Sequence, residues 1–412
     1  MGEISKVTTL VPAKYFSGKN ICKILFFAGC GIITLSLGSH LIADERDEQE
    51  KMISKILALP YLQGSRSVPA KVRVTYHDPK LAYEGLNLYT SGPQAILIDM
   101  DGNVIHKWGS KYNDGGPMTK RTIKGWHWAW LYDNGDLLTV GDGLRKLDKD
   151  SNLLWFYDGE CHHDLCVGAD GNIYVLESRK ISRHPELNLK CSILDDCITI
   201  LSPIGKKLKS ISILECFLNS DYASILSNMR PCGDVFHTNT IELLDGSLAD
   251  RFPMFKKDHV LVSIRHLSTI AVIDLARAKV TWALSGMWKM QHNPTILENG
   301  NILLLDNLGH HGRSKVIEFN PLTQKIVWAY RGDSENGFFT EGGGSNQRLP
   351  NGNTLITEAE NGRAFEVTPD NKIVWEFLNP FRAGPEGEFI ASFQKMIRIK
   401  PDRLTFLKKP HN

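Results

Sequence analysis

The residues with the most chemical potential in this 412-residue chain are histidines at one repeated position. His127 stands eight residues before Gly135, His163 eight before Gly171, and His292 eight before Gly300. His237 stands nine before Gly246, and the match of Thr240-Ile241 with Thr295-Ile296 puts the extra residue in the turn. Each of these glycines follows Asn or Asp, a pair that favours tight hairpin turns. The histidines therefore open strands that run into hairpins, and equivalent positions on neighbouring strands point to the same side. Converging imidazoles can ligate a metal ion in their neutral form. They can also serve group transfer, one ring attacking as a nucleophile while others donate hydrogen bonds or protons. A polar plug filled with water is the third reading.

Arg265 bears on that choice. In VSIRHLSTIAVID it falls on the strand that follows the one opened by His237. A fixed cation beside imidazoles opposes a metal ion and favours an anion, whose oxygens a guanidinium grips at two points. Taken alone, Arg265 fits an ordinary salt bridge equally well. Asp164, Glu242 and Glu298 are the nearby carboxylates, and none falls in register with the histidines. No cofactor or metal is expected, and the cysteines lack zinc-finger spacing.

The elements that position these side chains come from a repeat. Residues 344–378, 291–331 and 126–158 share one grammar of short strands and turns, ending in Trp375, Trp328 and Trp155. With Trp108 and Trp282 these tryptophans recur every 46 or 47 residues, except that two longer units, one closing near Ile211, separate Trp155 from Trp282. Four short strands per period of about 40–50 residues mark a propeller blade. The expected fold is all-β, a six-bladed β-propeller, with seven blades as the alternative. Residues 95–108 are short of strands for a blade, and 389–404 are expected to complete it and close the ring. The first strand of each blade lines the channel, so the histidines are expected at one end of it.

Hydrophobic residues are 42%, charged residues 23% and the net charge +2, so a folded globular chain is expected and nucleic acid is not expected as a partner. The uncharged stretch 24–43 is long enough for a transmembrane helix. Lys6, Lys14, Lys19 and Lys23 precede it; Asp44, Glu45, Asp47 and Glu48 follow. The expected order is a cytoplasmic tail (1–23), a membrane anchor (24–43), a connector (44–85) and an exported, periplasmic or otherwise extracytoplasmic propeller (86–405). A cleaved signal peptide is the alternative to the anchor. Six of the eight cysteines lie in the exported part, where disulfides form; Cys191 and Cys197 are the first pair to test.

The run from about 90 to 404 resembles the bacterial arylsulfate sulfotransferases, exported six-bladed propellers. The resemblance is carried by His162-His163-Asp164 followed by DGNIYVLE, by FHTNTIE around His237 and SIRHLSTIAVID around Arg265. QHNPTILENGNILLLDN around His292 and QRLPNGNTLITEAENGRAFEVTP complete it. It implies transfer of a sulfuryl group from a phenolic sulfate ester to a phenol through a sulfohistidine, without a nucleotide donor. It also implies that His292 is the nucleophile, and that His163, His237 and Arg265 bind sulfate or move protons. His127, His162 and Asn239 are expected to bind substrate, with Trp126, Trp128, Phe338 and Phe339 as aromatic walls. The family pattern assigns no role to His127 or His162. Soluble members carry an extra β domain ahead of the propeller, which the connector is too short to supply; a homodimer is allowed. The competing reading is a non-catalytic or metal-binding propeller that displays a binding surface.

Overall fold

Six sheets make the ring, each with four antiparallel strands at its centre, and two of them carry a fifth strand. The computed structural model describes residues 71–109, 125–141, 143–333, 337–383 and 388–407. The tail and the anchor expected over 1–43 lie outside them. Among the described residues no helix is long and apolar enough to cross a membrane. The innermost strands of blades two to six are Trp128–Leu131, Cys161–Val167, Thr238–Leu243, His292–Ile296 and Ser345–Arg348. The glycines after them, Gly135, Gly171, Gly246, Gly300 and Gly352, all have φ between +78° and +89°. Only glycine takes that backbone without strain, so these positions set the register of each inner strand.

The second and third strands of a blade are packed on both faces, as in blade six, where Thr354–Glu358 and Arg363–Val367 are buried throughout. The core therefore lies between blades. Leu138, Val140 and Leu144 of blade two, for example, cluster with Leu165, Val175 and Leu201 of blade three.

The periodic tryptophans act at these seams. Trp108 Nε1 donates to the Gly135 carbonyl (2.9 Å), Trp328 Nε1 to Pro369 (2.9 Å) and Trp375 Nε1 to Met100 (2.9 Å), each in a turn of the next blade. Trp155 packs on Gly205, where a Cβ would come within 2.7 Å of the indole. Burying a whole indole contributes at most about 4–6 kcal/mol, so one residue per blade can hold a seam.

The ring closes twice. Met396–Ile399 pairs with Leu86–Thr90 and becomes the innermost strand of blade one, completed by Gln94–Ile98 and Val104–Gly109. Arg73–His77 pairs with Ile373–Leu378 as a fifth, outermost strand of blade six. This strand lies within the segment 44–85 expected as connector, so part of that segment is sheet. Arg398 fastens the closing strand: its guanidinium donates to Asn87 Oδ1 (2.9 Å) and the Tyr83 carbonyl (2.7 Å) and pairs with Glu366. Both partners of that ion pair are fully buried.

Between blades three and four the chain adds a helix, Ile213–Leu218, capped by Ser212 Oγ, which accepts the Glu215 N–H (3.0 Å). The return path runs through a disulfide, Cys191–Cys232, into the two-residue strand Gly233–Asp234, which lies parallel beside Ile193 and Leu194. Cys191 therefore does not pair with Cys197. The latter is held inside the strand Ile193–Leu201, a buried free thiol that burial pushes up to about 12. Cys161, Cys166 and Cys216 are also buried thiols.

Candidate active site

All six blades reach one small cavity of about 40 Å³ in the channel. Its walls are Gln394 and Lys395 from blade one, His127 and Trp128 from blade two, and His163 and Asp164 from blade three. Asn239 and Thr240, His292 and Asn293, and Gly344 complete it from blades four, five and six. The inner strands are not regular here. Pairing with the second strand skips around His163-Asp164, Asn239 and Asn293-Pro294, and such bulges re-aim side chains. His163 (φ +55°), His237 (φ +50°) and Asn293 (φ +48°) all take the left-handed conformation. Gly344, the blade-six counterpart of the histidines, has φ +101°, and a Cβ there would sit 2.6 Å from the Thr357 carbonyl.

His292 is buried, and its tautomer follows from its neighbour. Asn307 Nδ2 lies 2.8 Å from the Thr340 carbonyl and 2.9 Å from that of Gly343. Carbonyls only accept, so these positions must be the amide NH₂. Asn307 Oδ1 then faces His292 Nδ1 at 2.8 Å, which must carry the hydrogen. The lone pair of His292 therefore resides on Nε2. Burial, and then the charge of Arg265, push this imidazole down to about 3, against the Asn307 bond, so it is neutral at ordinary pH.

The other rings form a chain. His127 and His163 lie 5.2 Å apart between centroids, His163 and His237 4.6 Å, and His237 and His266 4.7 Å. Burial, and then charge on His237 and the other three imidazoles around it, hold His163 well below its usual range. Its Nδ1 is 2.8 Å from His162 Nδ1, and His162 Nε2 lies 3.4 Å from the buried Asp196. His162 thus stands behind His163, between it and a carboxylate.

His237 faces a different carboxylate. Its Nδ1 is 2.5 Å from Asp234 Oδ2, and its main-chain N–H donates to Asp234 Oδ1 (2.9 Å). Burial raises the Asp234 carboxyl, but the hydrogen bond and charge of His237 outweigh this and hold it below its usual range. His266 donates Nδ1–H to the Asp234 carbonyl (2.8 Å), with the Asp234 carboxylate farther off at 3.8 Å. That leaves His266 Nε2 to accept from Arg265 Nη1 (3.2 Å), while Arg265 Nη2 donates to the Glu341 carbonyl (3.3 Å). Burial, and then charge on His237, push His266 down to about 4.

Asp234, His237 and His266 are the one group of described residues whose ligand atoms lie close enough to share a metal ion. The Nδ1 atoms of both rings already donate to Asp234, which removes them as metal donors. Beyond Asp164, Thr240, Asn293 and Lys395 the channel widens into a chamber of about 300 Å³ walled by Trp130, Cys166, Ile241, Glu242 and Ile397. Burial pushes the Glu242 carboxyl up to about 7.

Several expectations need correction. Arg265 does not lie on a strand; it opens the 3-10 turn Arg265–Leu267 just after His259–Ile264. Of the four aromatic walls, only Trp128 lines the cavity, with Lys395 Nζ 4.5 Å from its ring centroid. Trp126 packs into the seam with Leu97, Trp108 and Leu137, and Phe338 against Tyr330 and Phe365. Phe339 is exposed. Asn239 lines the cavity and donates through Nδ2 to the Gln291 carbonyl (2.8 Å), turned toward blade five. Sequence reasoning missed Asp234, His266, Asn307, Gln394 and Lys395. His266 adjoins Arg265 in the quoted SIRHLSTIAVID segment and was within reach; the others fall outside the repeated register.

A family model described as arylsulfotransferase (ASST) matches residues 131–380. No curated protein matches the chain. Among solved structures the chain is similar to a protein of unknown function from Bacteroides caccae, at 12% identity and a TM-score of 0.49 over 76% of this chain and 98% of that one. It is similar to a streptogramin B lyase at 13% identity and a TM-score of 0.43, over 81% of this chain and 96% of the lyase. The family match spans more than half of the 412 residues and contains His163, His237, Arg265 and His292. The chain belongs to the arylsulfotransferase family.

Proposed function

We propose that the protein transfers a sulfuryl group from a phenolic sulfate ester to a phenol through a sulfohistidine on His292. The observation that carries this reading is the Asn307 latch, which keeps Nδ1 protonated and leaves the Nε2 lone pair for the cavity. In the first half-reaction Nε2 attacks sulfur, an N–S bond forms, and the bond from sulfur to the phenolic oxygen breaks. The departing phenolate takes a proton from a neighbouring imidazole. In the second half-reaction an acceptor phenol returns a proton to that imidazole and attacks sulfur, which restores neutral His292. Negative charge spreads over the outer oxygens of the sulfuryl group in flight, so fixed cations and donors around it do most of the stabilising. Arg265 supplies a permanent cation, and burial, together with its charge, keeps His292 unprotonated and able to attack.

The alternative of a metal-binding propeller is less well supported, because in the one candidate cluster among the described residues the Nδ1 of each ring already donates to Asp234. The exported location on a 24–43 anchor belongs to the same proposal and rests on the charge pattern around that segment. The full chain, purified and given 4-nitrophenyl sulfate without an acceptor, is expected to release a burst of 4-nitrophenol and to gain the mass of a sulfo group on His292. Added phenol then sustains turnover. His292→Ala is expected to lose both burst and label, and a variant as active as the parent would remove His292 from the mechanism.

A further inference from the structure

We infer that Asp234 is the positioning residue for both His237 and Arg265, and that it makes His237 the imidazole that gives and takes the phenolic proton. The inference rests on the sulfotransfer proposed above, which leaves that imidazole unassigned.

The assignment follows from which atoms Asp234 occupies. One carboxylate oxygen receives the main-chain N–H of His237 and the other receives its ring Nδ1–H, so backbone and ring are gripped together. The main-chain conformation held this way, φ +50°, is unfavourable for a residue with a side chain, and the paired contacts sustain it. The carbonyl of the same residue receives Nδ1–H of His266, whose Nε2 in turn accepts from Arg265. A single residue therefore sets His237 directly and Arg265 through one intermediary.

The imidazoles of His163, His237, His266 and His292 do not have equivalent surroundings. His292 faces an amide oxygen, His163 another imidazole and His266 a peptide carbonyl, all neutral partners. Only His237 has a carboxylate in hydrogen-bond contact: Asp234 lies 2.5 Å from its Nδ1 and farther, at 3.8 Å, from that of His266. A carboxylate against Nδ1–H fixes the tautomer and stabilises the positive charge present when Nε2 also holds a proton, as in an Asp–His pair of a hydrolytic triad. His237 can then release the Nε2 proton to a departing phenolate and recover one from the acceptor, while Nδ1–H stays with Asp234.

The position of Asp234 is itself constrained. It belongs to the two-residue strand beside Ile193 and Leu194, and Cys232, two residues earlier, is tied to Cys191. The insertion between blades three and four thus carries the residue that completes a site built otherwise from blade strands.

The test is the dependence of the first half-reaction on the leaving phenol. Asp234→Asn keeps an acceptor for the His237 main chain but turns an NH₂ toward Nδ1, which disfavours the imidazolium. Phenol release is timed for the parent and the variant with 4-nitrophenyl sulfate, whose phenolate departs readily, and with phenyl sulfate, whose phenolate needs protonation. The expected loss in D234N is about 100-fold or more with phenyl sulfate and no more than about fivefold with 4-nitrophenyl sulfate, in line with the usual contribution of general acids. Equal losses with both donors would mean that Asp234 only shapes the site, and no loss with either would mean that it does neither; both overturn the inference. Were D234N unfolded by its thermal transition, Asp234→Ser gives the same comparison, with added formate expected to restore the phenyl sulfate rate selectively. Failure of the sulfotransfer reading shows separately, as a parent enzyme that releases no burst and carries no sulfo label.

Discussion

Replacing Asn307 by alanine tests whether the tautomer of His292 limits the chemistry. Asn307 is fully buried and makes three hydrogen bonds, to His292 Nδ1, to the Thr340 carbonyl and to the Gly343 carbonyl. At about 0.5–1.5 kcal/mol net for each, their loss lowers stability by about 1.5–4.5 kcal/mol. The kinetic effect is separate. Without Asn307 Oδ1 the ring loses the side-chain acceptor that ties the hydrogen to Nδ1 and keeps only its bond to the Met290 backbone, and each molecule with the hydrogen on Nε2 has no lone pair to offer sulfur. A buried hydrogen bond that favours one tautomer by about 1–3 kcal/mol corresponds to a drop of about 5- to 150-fold in the rate of attack. The assay is the stopped-flow burst of 4-nitrophenol without an acceptor, run well below the unfolding midpoint of N307A, which is measured on the same sample. The burst rate is expected to fall by that factor, while the concentration of donor giving half the maximal rate stays close to that of the parent, because Asn307 lies behind the ring. A folded N307A whose burst rate remains within about twofold of the parent, a difference of under ~0.5 kcal/mol, would refute the reasoning.

The other expectations concern charge and closure. Glu242 has its carboxyl raised in the folded protein from 4.5 to about 7, so folding retains its proton where the unfolded chain loses it. Its contribution is full below pH 4.5 and fades by about 3 kcal/mol as pH rises to 7. His292, lowered from 6.5 to about 3, acts in the opposite sense, stability being lost as pH falls, so the measurement is the difference between the urea-unfolding curves of Glu242→Gln and parent. Parallel pH profiles would exclude the effect. Cys232→Ser opens a loop of sequence separation 41 and is expected to cost up to about 4 kcal/mol. A reducing agent should then lower the urea midpoint of the parent but not of the variant, and equal shifts in both would count against the disulfide. Glu366→Gln leaves Arg398 buried without its counter-charge and is expected to cost about 3–5 kcal/mol in thermal unfolding, whereas a loss below about 1 kcal/mol would remove this pair from the closure.

The ring was legible in the sequence because its turns impose themselves locally. A left-handed residue is needed at each hairpin, glycine fills it, and counting back from glycine reaches His127, His163 and His292 without knowledge of the fold. The tryptophan period was legible for a similar reason, since the indoles of Trp108, Trp328 and Trp375 meet the same kind of turn in the next blade. Asp234 was not legible. It stands only three residues before His237, but in an insertion with no counterpart in other blades, where the repeat gives no register and the parallel pairing with Ile193 and Leu194 fixes its place. Asn307 lies 15 residues from His292 and reaches it only because Leu305 pairs with His292 across the hairpin. The aromatic walls failed on direction: Trp126 and Phe338 are close to the site along the chain, yet they point into seams between blades.

Asp164 and Glu242, which lie near the histidines but out of their register, have another use, and it explains why the histidine geometry belongs to the whole ring. The innermost strand of each blade is an edge strand, and its free N–H groups face a channel too narrow to leave all of them to water. Side chains of the preceding blade receive them. Asp196 accepts the Thr238 N–H (2.7 Å), Asp164 that of Ile241 (3.4 Å), Thr240 that of Asn293 (3.0 Å) and Glu242 that of Ile296 (3.2 Å). Asn293 Oδ1 accepts the Asn346 N–H (2.9 Å), Thr357 that of Met396 (3.1 Å) and Gln347 that of Arg398 (2.8 Å). The left-handed residues lie within this relay: Asn293 both donates to blade four and accepts from blade six, and His237 directly precedes the Thr238 bond. A left-handed conformation away from glycine costs on the order of 1 kcal/mol or more and persists only where neighbours over-determine it. Here the neighbours belong to other blades, so the strained backbone that aims His237 and the chain beside His292 is held from across the seams. Closing the ring is thus what holds the imidazoles in place before any substrate arrives, which is the condition for fixed groups to stabilise a transition state without reorganising.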